Sequence, residues 1–401
     1  MRVLIAWEFG SNWGHLAALL PLAQELRQRG HDVMFAVRGI DGDLSLLTAA
    51  GFMYLQLPVA IAPLQKMHQI PVRGYADVLA RGGFTDARTL TQLALAWLGV
   101  LHCVDPDVVV CKYAPLAEFA TCDRPVLSIG TGFELPPLSE PMPSYGFKSV
   151  AASDALQVLE GGVLAAVNVA GLVLNSATYT SAFQAFSHVH RILLTSPELD
   201  HFGPRVDGKY LGAVEDLSSA VTTPLELERY LLAPNAPLRL AYLRMGANWA
   251  QEFLKERRLG SEITNWVVVD PTLTREQCAL LTESSCLFLN VPFDIKVWAF
   301  KFDIFVCHAG HGMVNTALRS EKPLLMMPQY ADQVLLAERV IGSQFAGAAV
   351  ATILPPQHPV QVLDVVRKLA VMTPPQRPSV CNANAISTLS DCIELLSRAG
   401  Q

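Results

Sequence analysis

The stretch VCHAGHGMVN, Val306 to Asn315, sets two histidines three residues apart among small residues, directly after an apolar run. Three chemistries compete for such a pattern. A metal site needs a third Cys, His or carboxylate ligand at compatible spacing. Cys307 is adjacent but points away from His308 at a strand end, and no acidic residue lies close in sequence. Two polar loop histidines without any ligand are the plain alternative. A phosphate cradle fits best. Gly310 and Gly312 let backbone approach a ligand, and a helix beginning near Gly312 offers unpaired N–H groups with a partial positive charge. His308 could then donate a hydrogen bond to a phosphate oxygen or carry positive charge there. The second histidine, His311, reads as a turn residue near the phosphates or sugar.

A second candidate follows the first strand. GSNWGHLAAL again runs from a glycine turn into a helix, with His15 in the helix's first turn. The positive potential at a helix start disfavours imidazolium, so such a ring tends to be neutral. A neutral imidazole in a cleft can serve as a general base, worth roughly 10²–10⁴ in rate. Simple capping or a cleft-wall contact is the competing role.

The elements that must carry these residues alternate regularly. RVLIA (Arg2–Ala6), HDVMFAV (His31–Val37), FMYLQL (Phe52–Leu57), DVVVC (Asp107–Cys111) and PVLSI (Pro125–Ile129) read as strands in the first half. LRLAYL (Leu238–Leu243), WVVVD (Trp266–Asp270), CLFLN (Cys286–Asn290), DIFVC (Asp303–Cys307) and PLLMM (Pro323–Met327) repeat the plan. Helical patterns between them predict an α/β fold of two doubly wound parallel-sheet domains with ligands at the carboxyl ends of the strands. FGSNWG (Phe9–Gly14) and MGANWA (Met245–Ala250) even match at equivalent points, after the first strand of each half. The expected domains are 1–212 and 237–380, joined by a linker over 213–236, with a last helix in 381–401.

Composition sets the outer bounds. A chain of 401 residues exceeds one ordinary core, and with half its residues apolar it can bury two. A net charge of −6 without a basic cluster argues against a nucleic-acid partner. Eight cysteines without a C-x-x-C pair suit a reducing compartment, so a cytoplasmic location is expected. The apolar stretch Gly162–Leu174 is too short to span a bilayer and reads as a buried helix, so no stable membrane insertion is expected.

HAGHGMVNTALRSEKPLLMMPQYADQ (His308–Gln333) resembles the donor-binding signature of the UDP-glycosyltransferase superfamily. GHLAALLPLAQELRQRGHDVMF resembles the opening of the same enzymes, and TSPELDHFGPR (Thr195–Arg205) their segment before the linker. The resemblance implies a GT-B fold, two Rossmann-like domains facing across a cleft, with the C-terminal helix crossing back to the N-terminal domain. It implies no metal and no cofactor beyond a nucleotide diphosphate sugar as co-substrate. His15 matches the base that deprotonates an acceptor hydroxyl for in-line attack with inversion. His308 matches the diphosphate-binding histidine, helped by backbone of Gly310, Gly312 and Met313. Gly246, Ala247 and Asn248 match the loop that also borders the donor phosphates. Asp332 and Gln333 match the pair bonding the sugar hydroxyls, and Val291 falls where the main chain meets the base.

Departures from the family pattern are specific. Thr316 stands where many members grip the ribose with glutamate, a loss compatible with a deoxythymidine diphosphate donor. Asn290 stands where plant members stack a tryptophan on uracil. Lys112 replaces the aspartate that orients the histidine in plant members, leaving either Glu134 in GTGFELPP as a substitute carboxylate or His15 acting alone. Glu321 replaces a usual glycine. Trp13 and Glu134 are placed on the acceptor side. The resulting expectation is an inverting glycosyltransferase moving a sugar from a dTDP- or UDP-sugar to a hydroxyl of a small, fairly apolar acceptor such as a natural-product aglycone or lipid. The alternative is a non-catalytic nucleotide-sugar-binding accessory protein of the same fold. Oligomeric state is left open.

Overall fold

Runs of Val, Ile and Leu with no polar alternation can only be buried on both faces, and they form the interiors of two parallel sheets. The computed structural model describes residues 1–10, 13–39, 44–59, 72–145, 150–176, 178–214, 223–233, 237–259, 265–345, 347–380, 382 and 384–399, with the backbone alone at 13, 14, 17 and 150–153.

The first sheet contains β1 (Arg2–Trp7), β2 (Asp32–Val37), β3 (Met53–Gln56), β4 (Val108–Lys112), β5 (Val126–Gly130) and β6 (His190–Leu193). Its helices are α1 (Trp13–Gln28), α2 (Ser45–Ala49), α3 (Tyr75–Arg81), α4 (Ala87–Val104), α5 (Pro115–Ala120) and α6 (Val150–Gly171). The second sheet contains β7 (Leu238–Tyr242), β8 (Asn265–Val269), β9 (Cys286–Leu289), β10 (Ile304–Cys307), β11 (Leu324–Met326) and β12 (Val350–Thr352). Around it lie α7 (Leu225–Leu232), α8 (Gly246–Leu259), α9 (Arg275–Leu281), α10 (Ile295–Trp298), α11 (His311–Arg319), α12 (Ala331–Ile341) and α13 (Pro359–Leu369). A last helix, α14, covers Ala385–Ala399.

All but β6 and β12 fall on the apolar runs read from the sequence. Those two are short edge strands, where one-sided burial gives no continuous apolar signal.

The sheet orders are β3-β2-β1-β4-β5-β6 and β12-β11-β10-β7-β8-β9. Counted from its own first strand, the second sheet repeats the order of the first. In each, the chain reverses direction of travel between the first and fourth strands, so the switch points lie between β1 and β4 and between β7 and β10. Trp7 is in register with Lys112 at one, and Tyr242 with Cys307 at the other.

The chain divides into two compact units. One comprises Met1–Thr195, Pro204–Glu215 and Asn382–Gln401; the other comprises Ser196–Gly203 and Asp216–Cys381. The short segment Ser196–Gly203 therefore groups with the second unit, unlike the contiguous 1–212 division. Within the first unit α14 packs on α1, where Arg29 donates to Asp391 at 2.6 Å and to Ser387 Oγ at 2.8 Å.

Helix α6 corrects one expectation. It begins at Val150, well before the apolar stretch noticed in the sequence, and packs one side on α3 and α4. Its Asp154–Leu174 window has a mean hydropathy of 1.7 and is 33% buried, so it is long and apolar enough to cross a membrane by length and composition alone. Val158 and Val169 on it, and Leu172 just after it, are exposed, so it is not the buried helix expected.

Candidate active site

At the first switch point three strand ends converge on one imidazole. After β1 the chain turns through Gly10, whose φ of +87° is a left-handed conformation that suits glycine. A Cβ at Gly10 would lie 2.0 Å from His15 Nε2, so only glycine leaves room for the ring. The Trp7 ring lies 5.6 Å from the His15 ring on another side, fixed by its own Nε1–H donating to the Phe9 carbonyl at 2.8 Å.

His15 Nδ1 is 3.0 Å from Glu134 Oε1. The other carboxylate oxygen accepts from Lys112 Nζ at 2.5 Å and from the Thr131 N–H at 2.6 Å. Glu134 stands in the turn after β5 and folds back over Gly130, where a Cβ would come within 2.7 Å of its Oε2. Burial pulls the Glu134 carboxyl upward, but the Lys112 ammonium and the His15 contact outweigh it and hold the group well below the usual carboxylate range. An ionised carboxylate only accepts, so the proton between the two belongs to His15 Nδ1. The neutral ring then carries its lone pair on Nε2, the tautomer a general base requires.

Glu134 is 6% exposed, and its carboxylate is taken up by His15 and Lys112. Trp13 opens α1, and its side chain lies outside the described residues.

At the second switch point β10 ends at Cys307, and the turn to α11 passes through His308, Ala309 and Gly310. The residue in the left-handed region is Ala309, with φ +62°, at a cost of about 1–2 kcal/mol for a side chain. Gly310 has an ordinary φ of −63°, and a Cβ there would meet nothing within 4 Å. Its missing side chain serves neither turn nor packing and leaves space in front of the helix start. Helix α11 begins at His311, one residue from Gly312 as expected, with no side-chain cap from Gly310. Its first-turn amides, from His311, Gly312 and Met313, point out of that end.

Two expectations need correction here. His308 is buried, and both ring nitrogens are engaged within the protein. Nδ1–H donates to the Met327 carbonyl at 2.9 Å, and Nε2 accepts the Arg244 N–H at 2.6 Å. Burial holds its pKa below the ordinary value. It is a neutral clasp between the β7–α8 and β10–α11 turns, not a positive charge or a donor with a spare N–H. The Gly246 amide is also taken. Asp270, buried at the end of β8, accepts from Met245 N at 2.9 Å, Gly246 N at 2.8 Å, Thr272 N at 2.9 Å and Thr272 Oγ1 at 2.6 Å. Gly246 itself adopts φ +80°, and Ala247 and Asn248 follow in the first turn of α8.

The other residues matched by the resemblance lie on further elements of the second unit. Thr316 is buried on α11, and Val291, just after β9, is exposed. Asp332 lies in the first turn of α12. Gln333 Oε1 caps that helix, accepting from Gln329 N at 2.9 Å and Tyr330 N at 3.3 Å, so its amide –NH₂ is the group left for a ligand. Glu321 has φ +53° and closes α11 in a Schellman pattern, with Lys322 N bonded to Ala317 O and Glu321 N to Leu318 O. Such a positive φ is a conformation that suits glycine better than glutamate. One neighbour went unnoticed in the sequence: His201 lies with its ring 6.5 Å from that of His311.

No family model matches the chain, and no curated protein matches it in sequence. Solved structures do share its fold. The glycosyltransferase VinC in complex with dTDP superposes with a TM-score of 0.62 at 15% identity, over 100% of this chain and 96% of that one. The calicheamicin glycosyltransferase CalG4 gives 0.62 at 18% identity, over 100% and 96%. The glycosyltransferase SnogD from Streptomyces nogalater gives 0.59 at 17% identity, over 98% and 99%. The chain thus has the GT-B fold of natural-product glycosyltransferases along its whole length.

Proposed function

We propose that the protein is a metal-independent, inverting glycosyltransferase that moves a sugar from a nucleotide diphosphate sugar to a hydroxyl of a small, fairly apolar acceptor. The observation that carries the reading is His15 paired with a buried carboxylate at the switch point of the first unit. An orienting carboxylate would have no purpose in a non-catalytic nucleotide-sugar binder, which is why the enzymatic reading is preferred.

His15 Nε2 takes the acceptor's hydroxyl proton as the oxygen bonds to the anomeric carbon. The bond from that carbon to the diphosphate oxygen breaks, and the nucleoside diphosphate leaves. Glu134 steadies the imidazolium so formed. Charge growing on the leaving diphosphate is met by the amides of α11 and its dipole, over the open space at Gly310. Asp332 and the Gln333 amide are the groups offered to the sugar hydroxyls. VinC is known with dTDP bound, and Thr316 is too short to reach a ribose diol as glutamate would. Both favour a deoxythymidine diphosphate donor over a uridine one.

The test is to titrate wild type and His15→Ala with dTDP- and UDP-sugars by calorimetry and to follow transfer to a hydroxylated aromatic acceptor. Donor binding should survive in the variant while turnover falls roughly 10²–10⁴-fold. Full turnover in His15→Ala would remove the base assignment, and no nucleotide sugar binding wild type would remove the donor assignment.

A further inference from the structure

We infer that Lys112 is a positioning residue for the base, converting a histidine–carboxylate pair into a charge-balanced triad of His15, Glu134 and Lys112. The inference rests on the reading of His15 as the base. Its observations are geometric. Lys112 is the last residue of β4, in register with Trp7 at the end of β1, and is 4% exposed. Its ammonium lies 2.5 Å from Glu134 Oε2, while Glu134 Oε1 faces His15 Nδ1 at 3.0 Å. The two carboxylate oxygens thus serve different partners. One is fixed by the lysine and the Thr131 amide, the other is presented to the ring.

The charge consequence follows directly. A lone buried carboxylate would strongly favour imidazolium and hold the base in its protonated, inactive form up to higher pH. With the ammonium beside it, the pair is neutral as seen from the ring. His15 then keeps its orientation without the full electrostatic pull. The other ionisable groups nearby are Arg205, donating to the Leu135 and Gly132 carbonyls, Arg191, donating to the Pro136 carbonyl, and Glu8, whose carboxyl accepts the Leu116 N–H. Each of these contacts is to backbone.

The experiment follows the His15 ring titration by NMR in the full chain, with its signal assigned by loss in His15→Gln, alongside the pH profile of kcat/KM. Lys112→Met should raise the His15 midpoint and the acid limb of the rate by about one pH unit or more. Glu134→Gln should move both the other way, since the ammonium then acts uncompensated. The double variant, with both charges gone, should return close to wild type and covers the case in which Lys112→Met alone does not fold. A midpoint unmoved in Lys112→Met or in Glu134→Gln overturns the inference. Because the NMR readout needs no turnover, the two failures separate: shifted midpoints without transfer sink only the proposed function, and transfer with fixed midpoints sinks only the triad.

Discussion

Two buried carboxylates near the end of β1 are driven to opposite charge states by their partners. Glu134 meets an ammonium and stays ionised. Glu8 meets one backbone N–H, from Leu116 at 2.8 Å, and has the buried Glu118 nearby; burial first, and that neighbour second, push its pKa up to about 8. The folded chain therefore holds a proton on Glu8 that the unfolded chain releases near 4.5. The folded state binds more protons across that window, so this group's stability contribution, on the order of a few kcal/mol, is lost as pH rises from about 4.5 to about 8. Glu8→Gln keeps an acceptor for Leu116 and removes the titration. Its melting temperature should gain on wild type by roughly 5 °C between pH 5 and pH 8; a gap equal at both pH values contradicts this. At this scale the sequence offered Glu134 as the carboxylate for His15, and the two lie 3.0 Å apart. The Lys112 pairing was not readable, because it depends on the turn after β5 folding back over Gly130.

The elements explain which site residues changed role. Strand–turn–helix units put His308 where the resemblance implied, but not with the expected chemistry. Only three-dimensional pairing shows that Met327 and the Arg244 amide take both ring nitrogens. Likewise MGANWA looked like a phosphate loop until Asp270, some twenty residues on, accepted two of its amides. If His308 is a neutral clasp, His308→Ala should weaken nucleotide diphosphate binding and lower the melting temperature together, since the β7–α8 turn loses its anchor. Burial sets this ring's titration below the ordinary imidazole range, so donor affinity in wild type should show no step from it at or above that range. Lost affinity with unchanged melting, or a step there, would restore His308 as a direct diphosphate ligand. The edge strands β6 and β12 escaped sequence reading for the opposite reason: too few residues, half of them in contact with solvent, to write a pattern.

Across the whole molecule the same strand order occurs twice, and each copy places its candidate chemistry at its own switch point. The short likeness of FGSNWG to MGANWA reflects this repetition, for Gly10 and Gly246 both adopt positive φ after the first strand of their sheet. One copy carries His15 paired with Glu134 and the other an amide-lined helix start, a division visible in outline from the order of motifs along the chain. The central claim is that His15 activates an acceptor hydroxyl for direct displacement of a nucleoside diphosphate. The most direct measurement is the anomeric configuration of the product, by proton NMR, when wild-type protein is given an α-linked dTDP-sugar and a hydroxylated aromatic acceptor. The account predicts a β-linked glycoside and none from His15→Ala. An α-linked product, or the same β-linked product at the same rate from His15→Ala, would contradict it.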